Sequence, residues 1–298
     1  MAKISVVINT LNEEINLPQA IKSVKSFADE IIVVDMHSSD DTQKIAKKAG
    51  AKVFKYKKMG YVEPARNFAI SKATGDWVFI LDADERIHSS LSKVLKKKVN
   101  DNEADYFAVP RKNLIFGKWI QHSRWWPDYN IRFFKKGAVS WSDEIHSVPI
   151  TTGKGKDLLA TESNAIEHHH YESVEQYVNR MNRYTSIQAR ESFESGTRAT
   201  WQDFISKPLG EFISRYFAGQ GYKDGVHGLA LAALQALSEL VYVLKLWQHG
   251  GFAQSAPKLV EIASELRKSQ KEFNYWISDA LIHNGASVTE KLRRRLRV

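Results

Sequence analysis

The sequence predicts an α/β protein in which a mainly parallel sheet carries helices on both faces and is followed by a helical C-terminal region. Two observations lead to this class. Short apolar, β-rich segments alternate with helical segments over about the first 85 residues. After Ser173 the apolar residues instead recur at helical spacing. A length of 298 residues with 43% hydrophobic content suffices for one large domain and an appended region. We therefore expect a domain over residues 1–172 and a helical region over residues 173–298.

The elements of the first domain can be placed in order along the chain. Each predicted strand is a nearly continuous apolar run, as expected for strands that are buried on both faces. Strands are predicted at residues 4–8, 31–34, 53–56 and 77–81. Helices are predicted at residues 15–27, between Asp41-Thr42 and Gly50, and at residues 64–72. Residues 105–149 are irregular and aromatic, with short strands expected at 106–109 and 131–134, and we expect a lid and acceptor region there.

Polar residues stand where the predicted strands end. Thr10 and Asn12 follow the first strand, Asp35 ends the second, and Asp82 and Asp84 follow the fourth. Ligands of such sheets gather at the carboxyl ends of the strands. These five side chains are therefore the first candidates for a binding site.

The triplet Asp82-Ala83-Asp84 carries the main chemical information. Two carboxylates separated by one residue can share a hard divalent cation with a diphosphate. The cation would neutralise charge on a leaving nucleotide. The sequence contains no cysteine, which excludes disulfides, thiolate catalysis and cysteine-bound zinc. We therefore expect Mn²⁺ or Mg²⁺ bound by oxygen or imidazole.

Five motifs, in order, resemble those of family 2 glycosyltransferases. They lie at residues 5–14, at 32–35 together with 38–42, at 65–67, at 75–76 and at 82–84. The resemblance extends over about residues 3–90. It implies a GT-A fold, a nucleotide-diphospho-sugar donor whose base is usually uracil, and inversion at the anomeric carbon.

The resemblance also implies a nucleotide site. It places Thr10, Asn12 and Glu13 around the nucleoside, Asp35 on the base, and Arg66 near the base or the diphosphate. A carboxylate matches an imide N–H, and a guanidinium offers planar donors to phosphate. Taken alone, Asp35 also fits a strand-end turn and Arg66 a surface salt bridge. One departure is that Asp35 is followed by Met-His-Ser, where many relatives have Asp-Asp-Gly-Ser.

The implied metal site combines the acidic triplet with a later histidine. Asp82 would face the ribose and the metal, Asp84 would bind the metal directly, and His168 would complete the site. Three consecutive histidines in an extended segment cannot all face one ion, because alternate side chains point to opposite sides. His168 and His170 can share a face, and a structural role is expected for the other histidines of the run.

Later segments resemble a narrower branch, the lipopolysaccharide core β-glucosyltransferase-like group. They lie at residues 127–134, 144–146, 166–168 and 177–189. In that group His-Glu commonly stands where this chain has His146-Ser147. Inverting transfer needs a carboxylate that accepts the proton of the acceptor hydroxyl. Glu144, and then Asp143, are the nearest replacements, with Asp128 as a further candidate, although Asp143-Glu144 also fits a polar turn.

Aromatic and basic residues are interleaved after the acidic triplet. The aromatic residues are Trp119, Trp125, Trp126, Tyr129 and Trp141. Such rings either pack on sugars or belong to the core. The basic residues are Arg111, Lys112, Arg124 and Arg132. They would either meet an anionic acceptor or remain solvated.

A long apolar segment at residues 228–246 raises the question of a membrane. Its polar residues trace one stripe along a helix: Gln235, Ser238, Glu239, Tyr242 and Lys245. A spanning helix would bury Glu239 near mid-bilayer at a cost of about 3 kcal/mol. We expect a helix that lies on a membrane or protein surface, with an ordinary core helix as the alternative. The net charge of +9 and the arginines at 293–295 would favour anionic lipid.

The sequence therefore predicts an inverting transferase that moves a sugar from a UDP-sugar to a lipid-linked, lipopolysaccharide or other glycan acceptor. The alternatives are transfer to a polyprenyl phosphate or to a protein, and a non-catalytic nucleotide-sugar-binding membrane scaffold. No nucleic-acid partner is expected, because only the net charge suggests one. The N-terminus has no pattern typical of a secretory signal. We expect a cytoplasmic protein that is peripheral on the inner face of the cell membrane.

Overall fold

The computed structural model describes residues 2–57, 63–142, 149–285 and 288–296. The chain forms two compact units. The first consists of Met1–Leu114 and Pro127–His170, and the second of Ile115–Trp126 and Tyr171–Val298. The sequence-based boundary after residue 172 does not anticipate that residues 115–126 belong with the helical unit.

The described strands and helices follow the predicted alternation. The strands are β1 (Ile4–Thr10), β2 (Glu30–Asp35), β3 (Lys52–Lys55), β4 (Trp77–Ile80), β5 (Glu85–Arg86), β6 (Tyr106–Ile115), β7 (Lys118–Trp119), β8 (Asp128–Lys135), β9 (Val139–Ser140), β10 (Ile150–Thr151), β11 (Gly155–Asp157) and β12 (Ile166–Tyr171). The helices are α1 (Leu17–Val24), α2 (Thr42–Lys48), α3 (Glu63–Lys72), α4 (Ser89–Asp101), α5 (Val174–Glu194), α6 (Asp203–Ile213), α7 (Val226–His249), α8 (Leu259–His283) and α9 (Val288–Leu296).

The first half of the main sheet is parallel, as predicted. Its strands lie in the order β3-β2-β1-β4, and each neighbouring pair is parallel. The register places Thr10 opposite Asp35 at the ends of β1 and β2. The polar residues that end these strands therefore meet at one edge of the sheet.

The second half of the sheet makes the whole sheet mixed. From β4 the order continues through β8, β6, β12 and β5, and the β4–β8, β8–β6 and β12–β5 pairs are antiparallel. The β12–β5 pair sets His168 opposite Glu85. This pairing brings a late histidine to the segment that follows Asp82 and Asp84.

Two apolar clusters cover the two faces of the sheet. Val6 and Phe79 pack in the cluster that contains α1 and α4 residues. Val7 and Ile80 pack in the cluster that contains α3 residues. Successive residues of β1 thus point to opposite faces, both of which are buried. Each fully buried large apolar side chain contributes about 2 kcal/mol, so the strand ends are held firmly in place.

The second unit is built mainly from helices. Helix α7 packs against α5 and α6, and Ala189, Tyr242, Val243 and Leu246 form a buried cluster. Helix α7 extends two residues before and three residues after the predicted segment. Among the described helices, α7 is long and apolar enough to cross a membrane by length and composition.

Candidate active site

The loop after β1 is joined to the loop after β2 by hydrogen bonds. The Asn12 N–H donates to Ser38 Oγ at 2.8 Å, and Asn12 Oδ1 accepts from the Ser39 N–H at 2.8 Å. The Glu13 N–H donates to Thr42 Oγ1 at 2.8 Å. Asn12 adopts a left-handed backbone with φ of 58°, which asparagine tolerates better than most residues. The two predicted nucleoside residues thus fix the shape of this loop pair.

Asp35 is fully buried at the end of β2. Its Oδ2 accepts from the Ser38 N–H at 3.1 Å and from Gln43 Nε2 at 2.8 Å. Its Oδ1 accepts a long bond of 3.5 Å from Thr10 Oγ1. His37 has φ of 62°, so it keeps a backbone conformation that glycine adopts at lower cost. The departure from Asp-Asp-Gly-Ser therefore does not require a different turn.

Asp82 is bonded to a buried ion cluster that Arg132 and Glu85 form. Arg132 Nη2 donates to Asp82 Oδ2 at 2.5 Å and to Glu85 Oε1 at 2.7 Å. Glu85 Oε2 accepts from the Asp82 N–H at 2.9 Å. Glu85 is 0% and Arg132 3% exposed, so each charge depends on its partner. The cluster fixes the position of the acidic triplet.

The charge state of this cluster follows from its composition. Burial raises the pKa of the Asp82 carboxyl, but Arg132 and Arg66 outweigh that effect and hold the pKa well below its usual range. Burial lowers the pKa of Arg132, whereas Asp82 and Glu85 raise it above its usual range. Asp82 therefore stays ionised across the physiological pH range.

Arg66 lies on the other side of Asp82. Its Nη2 is 3.5 Å from Asp82 Oδ1, and its guanidinium carbon is 5.7 Å from the centre of the Trp141 ring. Trp141 is held by Asn67, whose Nδ2 donates to the Trp141 carbonyl at 2.7 Å. The Arg66 Nε is buried and has no hydrogen-bond partner among the described residues. A buried donor without a partner is typical of a site that awaits a ligand.

Asp84 faces His168 instead of the arginines. His168 Nε2 is 3.5 Å from Asp84 Oδ2, and His168 Nδ1 is 2.6 Å from Asn113 Oδ1. The Asn113 Nδ2 donates to Asp128 Oδ2 at 3.1 Å, which fixes the orientation of the amide because a carboxylate only accepts. Asn113 Oδ1 must then accept from His168 Nδ1–H. In the neutral ring, the lone pair of His168 is therefore on Nε2, the nitrogen that lies 3.5 Å from Asp84 Oδ2 and 3.2 Å from His170 Nδ1.

The three histidines alternate as an extended strand requires. His170 Nδ1 is 3.2 Å from His168 Nε2, whereas the His169 ring bonds Glu167 Oε1 at 3.0 Å. His168 and His170 thus share a face and His169 lies on the other one. The part of the chain that is described contains no group of three or more His, Cys, Asp or Glu side chains arranged to hold a metal. Asp84 and His168 are two possible metal ligands that lie 3.5 Å apart. The carboxylate suits Mn²⁺ or Mg²⁺, whereas the imidazole is a softer ligand that fits Mn²⁺ better than Mg²⁺.

The predicted catalytic carboxylates Glu144 and Asp143 lie outside the described residues. The further candidate, Asp128, is described. Burial raises its pKa, but Arg111 and the bonds from Asn113 lower it below its usual value. Arg111 Nη2 lies 2.7 Å from Asp128 Oδ2. A carboxylate so stabilised as an anion is a weak base, and its visible use is to orient Asn113.

The aromatic residues that follow the triplet are divided between the two units. Trp141 belongs to the first unit, beside Arg66, and Tyr129 donates its hydroxyl proton to the Leu158 carbonyl at 2.7 Å. Trp119 and Trp126 belong to the second unit, where their rings pack edge to face at 5.1 Å. Trp141 is thus the aromatic side chain of the set that touches a predicted site residue.

The sequence reasoning missed the supports of the site. Glu85 is not among the residues that the sequence singles out, and Arg132 is expected either to meet an anionic acceptor or to remain solvated, but both side chains are buried. Asn113 was not singled out. The available signal was Arg132 within the apolar run Ile131-Arg132-Phe133, since an arginine in a buried strand requires a charged partner.

The chain is similar to known proteins in three comparisons, with a family model, with related sequences and with solved structures. The family model "Glycosyl transferase family 2" matches residues 5–152. An uncharacterized glycosyltransferase of Rickettsia typhi is 33% identical over 255 residues, which are 83% of this chain and 87% of the relative. The lipopolysaccharide core biosynthesis glycosyltransferase LpsC of Rhizobium meliloti is 25% identical over 82% of this chain and 92% of that protein. The crystal structure of S. aureus TarS 1-349 in complex with UDP aligns with a TM-score of 0.47 at 15% identity, over 87% of this chain and 94% of that one.

Proposed function

The chain belongs to glycosyltransferase family 2, and from this premise we propose that it is a metal-dependent, inverting transferase that uses a UDP-sugar donor. The acceptor that we propose is a glycan or glycolipid of the lipopolysaccharide or lipid-linked type. The observation that carries the proposal is the arrangement around the acidic triplet, in which Asp82 faces Arg66 and Asp84 faces His168. One relative, LpsC, is named for lipopolysaccharide core biosynthesis and supports the acceptor class.

We assign the donor diphosphate to the side of Asp82 that Arg66 covers. The Nε of Arg66, which has no partner among the described residues, is a donor that a phosphate oxygen would satisfy. Trp141 restricts the guanidinium from the other side, at 5.7 Å. Arginine presents its donors in a fixed plane, so a held guanidinium binds phosphate at a smaller entropic cost than a mobile one.

We assign the nucleoside to the loop pair after β1 and β2. Asp35 has most of its acceptor capacity left on Oδ1, where Thr10 makes a 3.5 Å bond. The imide N–H of uracil would donate the further hydrogen bond that this oxygen can accept. Asn12 and Glu13 support this assignment indirectly, because their backbone N–H groups hold the loop pair in place.

We assign the metal to Asp84 and His168, with the donor itself supplying further oxygens. When bound there, a divalent cation would neutralise the charge that develops on the leaving diphosphate. Asn113 accepts from His168 Nδ1 at 2.6 Å and so places the lone pair of the neutral ring on Nε2, where a metal would replace the contact with His170 Nδ1 at 3.2 Å. Asp82, whose carboxylate is already bonded by Arg132, would contribute mainly charge and position.

The proton of the acceptor hydroxyl must pass to a carboxylate as the new glycosidic bond forms. We propose Glu144 for this role, with Asp143 as the second candidate. Asp128 is a weaker candidate because Arg111 and Asn113 stabilise its anion.

Thermal unfolding with UDP, with and without Mn²⁺, tests the proposal. A ligand that binds only the folded state raises Tm, and saturation at about 100 times Kd contributes about 2.7 kcal/mol. We expect a rise with UDP and Mn²⁺ together that is larger than with either alone. Asp84→Asn should lose this rise, and Asp157→Asn, which removes an exposed carboxylate on β11, should keep it.

An equal rise in Asp84→Asn, or a rise with UDP that does not depend on Mn²⁺, would overturn the metal assignment. Release of UDP from a panel of UDP-sugars separates the enzyme from the alternative scaffold, because a scaffold binds the donor without turning it over. Mass analysis of products from glycan, polyprenyl phosphate and protein acceptors identifies the acceptor class.

A further inference from the structure

Helix α7 in the second unit turns its polar residues inward. Gln235 Nε2 donates to the Tyr177 hydroxyl at 2.7 Å, and Lys245 Nζ donates to Asn182 Oδ1 at 2.7 Å. Both partners are on α5. Tyr242 of the same stripe also donates to Ser192 on α5, so three of its five polar residues bond α5 and this side of the helix faces the protein.

The opposite face of α7 is exposed and aliphatic from Val226 to Leu244, and the exposed Gln248 ends it. Its members recur at three- and four-residue spacing and form what we call the α7 outer stripe: Val226, Leu229, Ala230, Ala233, Leu237 and Leu244. Val226 is 73% exposed, and Leu229, Leu237 and Leu244 are each at least 40% exposed. At 1.5 Å per residue the stripe is about 27 Å long. This pattern is the reverse of that expected for a surface helix of a soluble unit.

A second copy of the chain is a poor occupant for this stripe. A strip one helix face wide and about 27 Å long covers roughly 300 Å², compared with about 800 Å² per partner in a standard interface. The stripe also contains no aromatic residue or arginine, the types that dominate binding energy between proteins. Its area and composition therefore argue against a protein partner.

The charge of the second unit fits an anionic lipid surface. The unit contains 19 lysines and arginines against 13 aspartates and glutamates, and so holds most of the net charge of +9. Helix α9 also combines exposed aliphatic and basic side chains. Leu292 and Leu296 are 58% and 59% exposed, and the neighbouring Arg293 and Arg295 are exposed as well. Aliphatic side chains next to basic ones are typical of segments that bind the membrane interface.

We infer that the α7 outer stripe lies in the plane of a membrane that contains anionic lipids, with α7 still packed on α5. A helix that crossed the bilayer would have to give up the bonds of Gln235 and Lys245 to α5 and expose Glu239 to hydrocarbon, which is costly. In-plane contact keeps all of these bonds. The inference does not depend on the proposed sugar transfer.

Flotation of the full chain with vesicles tests the inference. The vesicles are pure phosphatidylcholine, or phosphatidylcholine with about 30% phosphatidylglycerol, and contain no sugar donor or acceptor. We expect binding to the anionic vesicles that weakens as salt is raised. The variant Leu237→Gln/Leu244→Gln should reduce the bound fraction about tenfold. The matched variant Ile150→Gln/Leu159→Gln replaces exposed apolar residues of the first unit and should bind like the wild type.

Thermal unfolding of both variants checks that they fold, and light scattering gives the oligomeric state. The inference is overturned if the wild type binds neither vesicle or if the stripe variant binds as well as the control. It is also overturned if the wild type is a dimer that the stripe substitutions dissociate while vesicle binding is unchanged. None of these results bears on UDP binding, so the failure of one proposal is distinguishable from the failure of the other.

Discussion

In both compact units charged side chains are bonded inside the unit, but the groups that remain at the surface differ. They are charged in the first unit and aliphatic in the second. In the first unit, Arg132 and Glu85 are buried beneath Asp82, and carboxylates and an arginine remain at the strand ends. In the second unit, Lys245 and its neighbours bond α5, and an aliphatic stripe remains outside. The groups that remain after internal pairing are the basis of the two proposals, a diphosphate compound as the ligand of the first unit and lipid as the partner of the second.

The strongest test of this comparison removes the central charge of the first unit. Arg132→Met leaves the fully buried Glu85 with Arg111 Nη1, at 3.4 Å, as its remaining cationic partner among the described residues. Loss of one partner from a buried ion pair costs about 3–5 kcal/mol. We expect Tm to fall by about 10 °C, measured by circular dichroism. Lys44→Met, which removes a charge that is 78% exposed, is the control, and a Tm within about 1 °C of that control would contradict the role of the cluster.

The corresponding test in the second unit should have a smaller effect. Lys245 Nζ donates to Asn182, Thr185 and Ser186, which are neutral acceptors. Burial lowers the pKa of Lys245, so the bonds are partly offset by desolvation. We expect Lys245→Met to cost about 1 kcal/mol, seen as a shift of the urea midpoint. Lys268→Met, at a lysine that is 68% exposed, should leave the midpoint unchanged, and a larger effect than that of Arg132→Met would reverse the comparison.

The smallest predicted effect is the pH dependence of stability. It has one sign for Glu239 in the second unit and the opposite sign for Asp82 in the first. Burial and then Glu211 raise the pKa of Glu239, and Lys207 and Arg215 only partly oppose this. Because the pKa of Glu239 is higher in the folded state, its contribution to stability is fully present below the unfolded-state pKa of 4.5. That contribution is lost as the pH rises through the folded-state pKa. The lowered pKa of Asp82 acts in reverse, since its contribution is present above the unfolded value and is lost on acidification.

Glu239→Gln should therefore raise Tm by about 2 °C at pH 7. The difference should disappear below about pH 4.5, where Glu239 itself is protonated. Thermal melts across pH 4 to 8 measure it. Glu265→Gln on α8 is the control, because it removes a carboxylate of the same unit that pairs with Lys268 at 3.6 Å. A Tm gain that is constant over this pH range would contradict the assignment to ionisation.

The sequence predicts the parallel half of the sheet well and the antiparallel half poorly. Strands β1 to β4 are continuous apolar runs separated by helical segments, so period and composition locate them. The path through β8, β6 and β12 depends on pairings between distant segments, such as His168 with Glu85. Local patterns contain no information about such pairings, and short strands such as β5 have too few residues for a pattern.

The candidate site divides in the same way. Asp82 and Asp84 are identified by their position after an apolar strand, and the strand-end residues Thr10 and Asp35 meet as the parallel topology requires. Which carboxylate faces arginine and which faces histidine is set by tertiary contacts with Arg132 and His168. The direction of the polar stripe on α7 was equally inaccessible, because periodicity reveals that a stripe exists and not which side it faces.

The most direct test of the account is a crystal grown with UDP and Mn²⁺ and measured at a wavelength where manganese scatters anomalously. The account predicts an anomalous peak within about 2.5 Å of an Asp84 carboxylate oxygen and of His168 Nε2, with the diphosphate beside Arg66. A manganese peak bound by other residues, or UDP located away from the ends of β1, β2 and β4, would contradict it.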